Sequence, residues 1–213
     1  MRLVTFDAAG KVFDAIASGA WDVAFLAADP ARAAEILFTA PYLEIEGGYM
    51  VRTTSGLHNV DDIDRPGIRV TVASKSAYDL YLTRTLQHAE IVRASTGAEA
   101  IELFLREGYE TAAGVKNPLA RFAEANAGLL VLPGCFMVIE QAMGTPKGRD
   151  VAWRYLCSFV EEMKGTGFVA DALRRSGQVD VRVAPTADVS NPTKRRYAAG
   201  AGSRASTSTD STS

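Results

Sequence analysis

The chain has 213 residues, 47% apolar and 23% charged, with a net charge of −2. That length suits one sizeable core or two modest lobes in an ordinary globular protein. Near-neutrality offers no basic surface for nucleic acid or an anionic membrane, and no run of about 18 uncharged apolar residues could span a bilayer. The opening Met1–Asp7 is no secretion signal, because its apolar run is short and Asp7 interrupts it.

Taken in order, residues 10–19 carry Val12, Phe13, Ile16 and Ala17 at helical spacing, with Gly19 placed to close a helix. Trp21–Leu26 is a short β-prone run. Asp29-Pro30 then opens a helical turn, with Asp29 as its cap, and Arg32 falls on that turn. Gly47–Thr53 is β-prone. A compact alternating unit follows: strand Ile68–Ala73, helix Ser76–Leu86, strand Glu90–Ala94, helix Ala98–Arg106, strand Thr111–Val115, helix Pro118–Ala125 and strand Gly128–Leu132. Such alternation predicts a parallel, doubly wound sheet.

Pro133-Gly134 breaks the pattern, and Cys135–Ala142 runs on as a further extended segment. Two helices, Lys147–Lys164 and Gly167–Arg175, come next. The first carries a broad apolar face of Val151, Trp153, Tyr155, Leu156, Phe159, Val160 and Met163. From about Pro185 the character changes, and residues 186–213 read as a disordered tail. Cys135 and Cys157 lack C-x-x-C spacing and read as small buried hydrophobes, with a disulfide as the alternative. His58 and His88 read as surface residues. Trp21 and Trp153 read as core, and no cofactor or metal is implied.

Two strings carry more information than the rest. Arg32–Tyr42 contains Phe-Thr-Ala-Pro-Tyr preceded by an arginine, and Val60–Val70 contains Asp-Asp-Ile-Asp-Arg-Pro-Gly-Ile-Arg-Val. In this order, separated by an apolar crossing segment, they resemble the family 3 extracellular solute-binding proteins of ABC transporters. The resemblance runs from about Phe6 to Gly177. It implies an α/β, two-lobed, type 2 periplasmic-binding-protein-like fold, each lobe a doubly wound sheet flanked by helices. Residues 1–51 and 134–185 would form lobe 1, and 52–133 lobe 2, with hinges near Val51 and Pro133. The chain starts where a relative's first strand and helix would have ended, so the first lobe is expected to be incomplete. Its sheet is then expected to expose unpaired backbone groups.

The same resemblance implies a monomeric periplasmic binding protein, not an enzyme. It would pass a small carboxylate or amino-acid-like ligand to an ABC permease at the membrane. The alternatives are a dehydratase-like enzyme of this fold acting on a cyclic carboxylic acid, and a transcription regulator's sensing domain. Arg32 keeps the family's six-residue spacing to Phe38, and the family arginine grips a ligand carboxylate with its planar fork. A solvated arginine pairing with Glu35 is the bland alternative. Alanine at Arg32 is expected to abolish binding and leave the fold intact.

Ser74 and Ser76 lie where a strand meets a helix, so free N–H groups and the helix dipole would favour an anion there. Lys116 stands where amino-acid binders commonly have an acid, which points to a second carboxylate on the solute. Lys116→Asp is then expected to shift preference toward ammonium-bearing ligands. Phe6 and Tyr42 would wall the cleft, with packing as the alternative for Tyr42. Glu44 and Glu46 read as a solvated pair and not as an acid/base couple.

Overall fold

The structure is a computed structural model that describes residues 2–178 and 181–187. Among the described residues, nine strands make one sheet: β1 (Ala24–Ala27), β2 (Ile36–Phe38), β3 (Leu43–Arg52), β4 (Arg69–Ala73), β5 (Glu90–Ala94), β6 (Thr111–Val115), β7 (Leu129–Val131), β8 (Met137–Pro146) and β9 (Arg182–Val183). The main path runs β1-β8-β3-β6-β4-β5. The helices are α1 (Ala9–Asp14), α2 (Ala77–Thr85), α3 (Gly97–Glu107), α4 (Lys116–Ala125), α5 (Asp150–Gly165) and α6 (Phe168–Arg175).

The alternating unit matches its sequence pattern closely. Strands β5 and β6 have the expected bounds, and the other elements differ by a residue or two. Strands β4, β5 and β6 are parallel through the β4–β5 and β4–β6 pairings. Strand β7 pairs antiparallel with β3 on the side away from β6, so the β6–α4–β7 crossover leaves it running in the same direction as β4, β5 and β6. Cores fill both faces of this part of the sheet. Tyr49, Val51, Val70, Val72 and Leu82 pack on one. Met50, Phe104, Ala112 and Leu119 pack on the other.

The long strands β3 and β8 tie this unit to the rest. Strand β3 pairs with β8 from Leu43 to Gly47 and with β6 from Gly47 to Val51. The change of partner therefore falls at Gly47, four residues before Val51, which is fully buried within its ladder. Gly47 suits the bend for a steric reason. A Cβ there would sit 2.9 Å from Met137 Cγ and 3.0 Å from Phe136 Cζ.

At the other end, α1 packs on Trp21, Ala24, Leu26 and Ile36. The helix is shorter than its periodicity predicts. After the Ala15 N–H bonds Lys11 O, the chain tightens through Ile16 N–H to Phe13 O and Gly19 N–H to Ile16 O. Gly19 then takes φ +64°. Strand β1 pairs with β8 over Ala24–Ala27 and, among the described residues, with no other strand.

In α5, Leu156 and Val160 pack on Met143 with Tyr42 and Phe159 beside them, and the Trp153 indole donates to Phe38 O at 2.9 Å. The broad apolar face is only partly used: Val151 is 83% and Tyr155 70% exposed. Both lie on a different side of the helix from Leu156 and Val160, given its period of 3.6 residues. Cys135 and Cys157 are both free and half-buried, and burial pushes the Cys157 thiol up to about 11. His58 and His88 are exposed. Of the tail expected at 186–213, residues 188–213 lie outside the described residues.

Candidate functional site

A cavity of about 370 Å³ opens where the C-terminal ends of β1 and β4 meet the start of α2. Its polar lining comes from Asp7, Arg32, Ser74, Ser76, Tyr78 and Gln141, and its apolar walls include Phe6 and Phe25. The size falls within the range usual for small-molecule pockets.

Arg32 sits on the single helical turn Arg32–Ala34 that follows β1. Asp29 shapes that turn, its Oδ1 accepting from the Ala31 N–H at 2.8 Å and its carbonyl from the Ala33 N–H. The guanidinium is 1% exposed. It donates Nη1–H to Ala27 O at 2.7 Å and Nη2–H to Lys75 O at 2.8 Å. These two carbonyls orient the planar fork. Arg32 thereby joins the end of β1 to the β4–α2 turn, which corrects the expectation that its removal leaves the fold intact. The pairing with Glu35 does not form: Glu35 is exposed while Arg32 is buried.

On the β4–α2 turn, Ser76 caps α2 by accepting from the Asp79 N–H at 3.0 Å. The turn's own N–H groups are taken within the protein. Ser74 donates to Ala94 O, Lys75 to Asp79 Oδ2 and Ser76 to Ala73 O. The free N–H groups expected there are therefore displaced by one or two residues along the chain. Ala77 and Tyr78 line the cavity, and their N–H groups begin the helix, where no intrahelical carbonyl can reach them. Burial raises the Tyr78 hydroxyl above its usual pKa, so it stays protonated and able to donate.

Contacts across the cavity mouth hold α1 and the Arg32 turn against α2. Lys75 Nζ lies 2.8 Å from Asp14, and Arg84 Nη2 lies 2.9 Å from the buried Asp29 carboxylate. Gly10 makes the approach of α1 possible: a Cβ there would lie 2.8 Å from Lys75 Cβ and 3.1 Å from Ser74 O. Lys75 occupies the left-handed region at φ 56°, unusual for a residue with a side chain.

Of the residues singled out from sequence, Phe6, Arg32, Ser74 and Ser76 come together around this cavity. Lys116 and Tyr42 are not in its lining. Lys116 opens α4 and donates to Glu46 Oε2 at 2.7 Å, so a neighbouring carboxylate meets its charge. Glu44 lies 3.4 Å from Arg182, so each glutamate of β3 faces a cation. Tyr42 packs with Met143, Leu156 and Val160, its ring edge-on to Phe25 at 5.9 Å. Gln141 was missed. Gln141 had a signal, as an uncharged polar residue inside the apolar run Met137–Met143.

No family model matches the sequence, and no curated protein does. Solved structures do match. An ancestral arginine-binding protein bound to arginine superposes with a TM-score of 0.70 at 17% identity, over 82% of this chain and 79% of that one. The chain has the periplasmic-binding-protein fold. A putative binding component of an ABC transporter from Wolinella succinogenes, complexed with lysine, gives 0.67 at 18% identity, over 82% and 77% of the two chains. An ancestral amino acid-binding protein, a precursor of cyclohexadienyl dehydratase, gives 0.66 at 17%, over 82% and 76%.

Proposed function

We propose that this chain is the solute-binding component of an ABC-type importer and captures a small carboxylate or amino-acid-like solute. One observation carries the reading: a buried, oriented guanidinium and the first turn of α2 converge on one cavity. A carboxylate placed there meets the Arg32 fork together with the N–H groups of Ala77 and Tyr78. Neighbours of like fold, one named an arginine-binding protein and one a putative transporter binding component complexed with lysine, support the same class.

In this reading residues 1–51 and 134–185 form one lobe and 52–133 the other, and the solute bridges them. Closure is favoured because only the closed form contacts the solute from both sides. A membrane permease then recognises that closed form, outside the cell or in the periplasm. The dehydratase alternative has weaker support. The lining carries one carboxylate, Asp7, which its bond from Lys11 holds below the usual range. Ionised at neutral pH, it has no proton to give a leaving group.

The test is a thermal melt of the chain against amino acids and small mono- and dicarboxylates. A ligand at a hundred times its Kd stabilises the native state by about 2.7 kcal/mol. We expect one carboxylate class to raise the melting temperature and to be recovered unchanged. A cooperative melt that no carboxylate shifts refutes the reading, and conversion of the ligand hands the site to the enzyme alternative.

Gly10→Ala probes the closed cleft. Alanine suits a helix interior better than glycine by about 1 kcal/mol, yet its methyl would push the Ser74–Lys75 turn away from α1. We expect affinity for the active carboxylate to fall about ten-fold or more, the equivalent of roughly 1.4 kcal/mol, without a matching loss in the melt. Unchanged affinity would separate the α1 contact from solute binding.

A further inference from the structure

Asp29 does more than shape the Arg32 turn. Its carboxylate is 5% exposed, and the Arg84 guanidinium closes on it with two prongs, Nη2 to Oδ2 at 2.9 Å and Nη1 to Oδ1 at 3.4 Å. Arg84 stands on the last turn of α2, 55 residues further along the chain. In the two-lobe reading above, Asp29 belongs to one lobe and Arg84 to the other. Three more contacts cross at the same mouth. Lys75 Nζ meets Asp14, Lys75 O accepts from Arg32, and Ala27, Ala77 and Ile139 pack in one buried apolar cluster.

We propose that Arg84 and Asp29 form a latch across the mouth, which sets the balance between an open and a closed cleft before any solute arrives. This rests on the two-lobe solute-binding reading and supplies its regulation. The argument turns on where each charge meets water. With the mouth closed the Asp29 carboxylate is buried, and its burial is tolerated because Arg84 is in place. With the mouth open both groups regain hydration, and neither needs the other. Loss of Arg84 therefore penalises the closed form alone. The Ala31 N–H cannot offset that penalty, because its bond to Asp29 Oδ1 lies within one turn and persists in either form. The Lys75–Asp14 pair adds less, since both of its side chains are about half exposed.

Every partner in these contacts belongs to the chain, so the latch acts with or without a solute. A solute that needs the closed cleft binds with its intrinsic Kd divided by the closed fraction. The latch thus tightens every solute that fits, whatever its chemistry. The cavity lining sets which solute is held, and the latch sets how firmly.

The experiment reads the radius of gyration of the full chain by small-angle X-ray scattering, without solute. It compares the parent, Arg84→Met, and Arg84→Met combined with Asp29→Asn. The same three are then titrated calorimetrically with L-alanine, L-arginine and succinate. Arg84→Met should widen the particle, and should weaken about ten-fold whichever of these solutes binds the parent. The double variant should move both readings back toward the parent, because an amide costs less to bury than an unpaired carboxylate. A purely structural pair would lower the melting temperature and leave the radius unchanged, which overturns the latch. A widened Arg84→Met that keeps the parent's affinity overturns it as well. Should Arg84→Met not fold, Asp29→Asn alone tests the link from its other end, since it keeps an acceptor for the Ala31 N–H and removes the charge that holds Arg84. An unchanged radius in that variant overturns the proposal. Binding of none of the three solutes to any variant counts against the solute-binding reading, while the radius, read without solute, still decides the latch.

Discussion

Arg32→Ala is expected to abolish carboxylate binding and, in the same step, to destabilise the free protein by about 3–5 kcal/mol in denaturant unfolding. The size follows from burial. The guanidinium is 1% exposed, and its removal leaves the Ala27 and Lys75 carbonyls without their charged donors. It also unlinks the end of β1 from the β4–α2 turn. Arg32→Lys separates the two roles, since an ammonium keeps the charge but cannot span both carbonyls as a fork does. We expect the lysine variant to recover part of the stability and little of the affinity. An alanine variant that melts like the parent would show that the Ala27 and Lys75 bonds carry no stability.

How far the sequence could lead is visible in the same residue. Its place on the turn after β1 was legible, because Asp29-Pro30 fixes where a helical turn begins. Its burial was not, because that depends on Lys75, 43 residues further on, bringing a carbonyl across the cavity. Lys116 shows the same limit. Its position just after the strand Thr111–Val115 followed from local pattern, whereas its partner Glu46 is 70 residues away on β3. The Ser74–Ser76 turn was placed correctly, yet the acceptors of its N–H groups include Ala94 on the neighbouring strand. Elements and their order follow from periodicity and turn chemistry, while charge neutralisation is settled between segments distant in sequence.

Lys164→Met is the other substitution with a large expected effect, a loss of about 3–5 kcal/mol read from denaturant unfolding. The side chain of Lys164 is 1% exposed and lies 2.7 Å from Glu161 Oε1, itself 11% exposed. Its ammonium also donates to Pro41 O at 3.1 Å and Pro185 O at 2.9 Å. Methionine fills the same space but strands a buried carboxylate beside two carbonyls deprived of their cation. The double variant Lys164→Met with Glu161→Leu removes the stranded charge and should regain more than half of the loss, because a buried pair is worth less than the penalty for breaking it. Equal losses in the single and double variants would show that water reaches Glu161 and that the pair is screened. The anchor matters beyond stability: Pro41 leads directly into β3, so Lys164 holds the start of the strand that joins the two ends of the sheet. Loosening it should blunt solute affinity even though Lys164 touches none of the cavity lining.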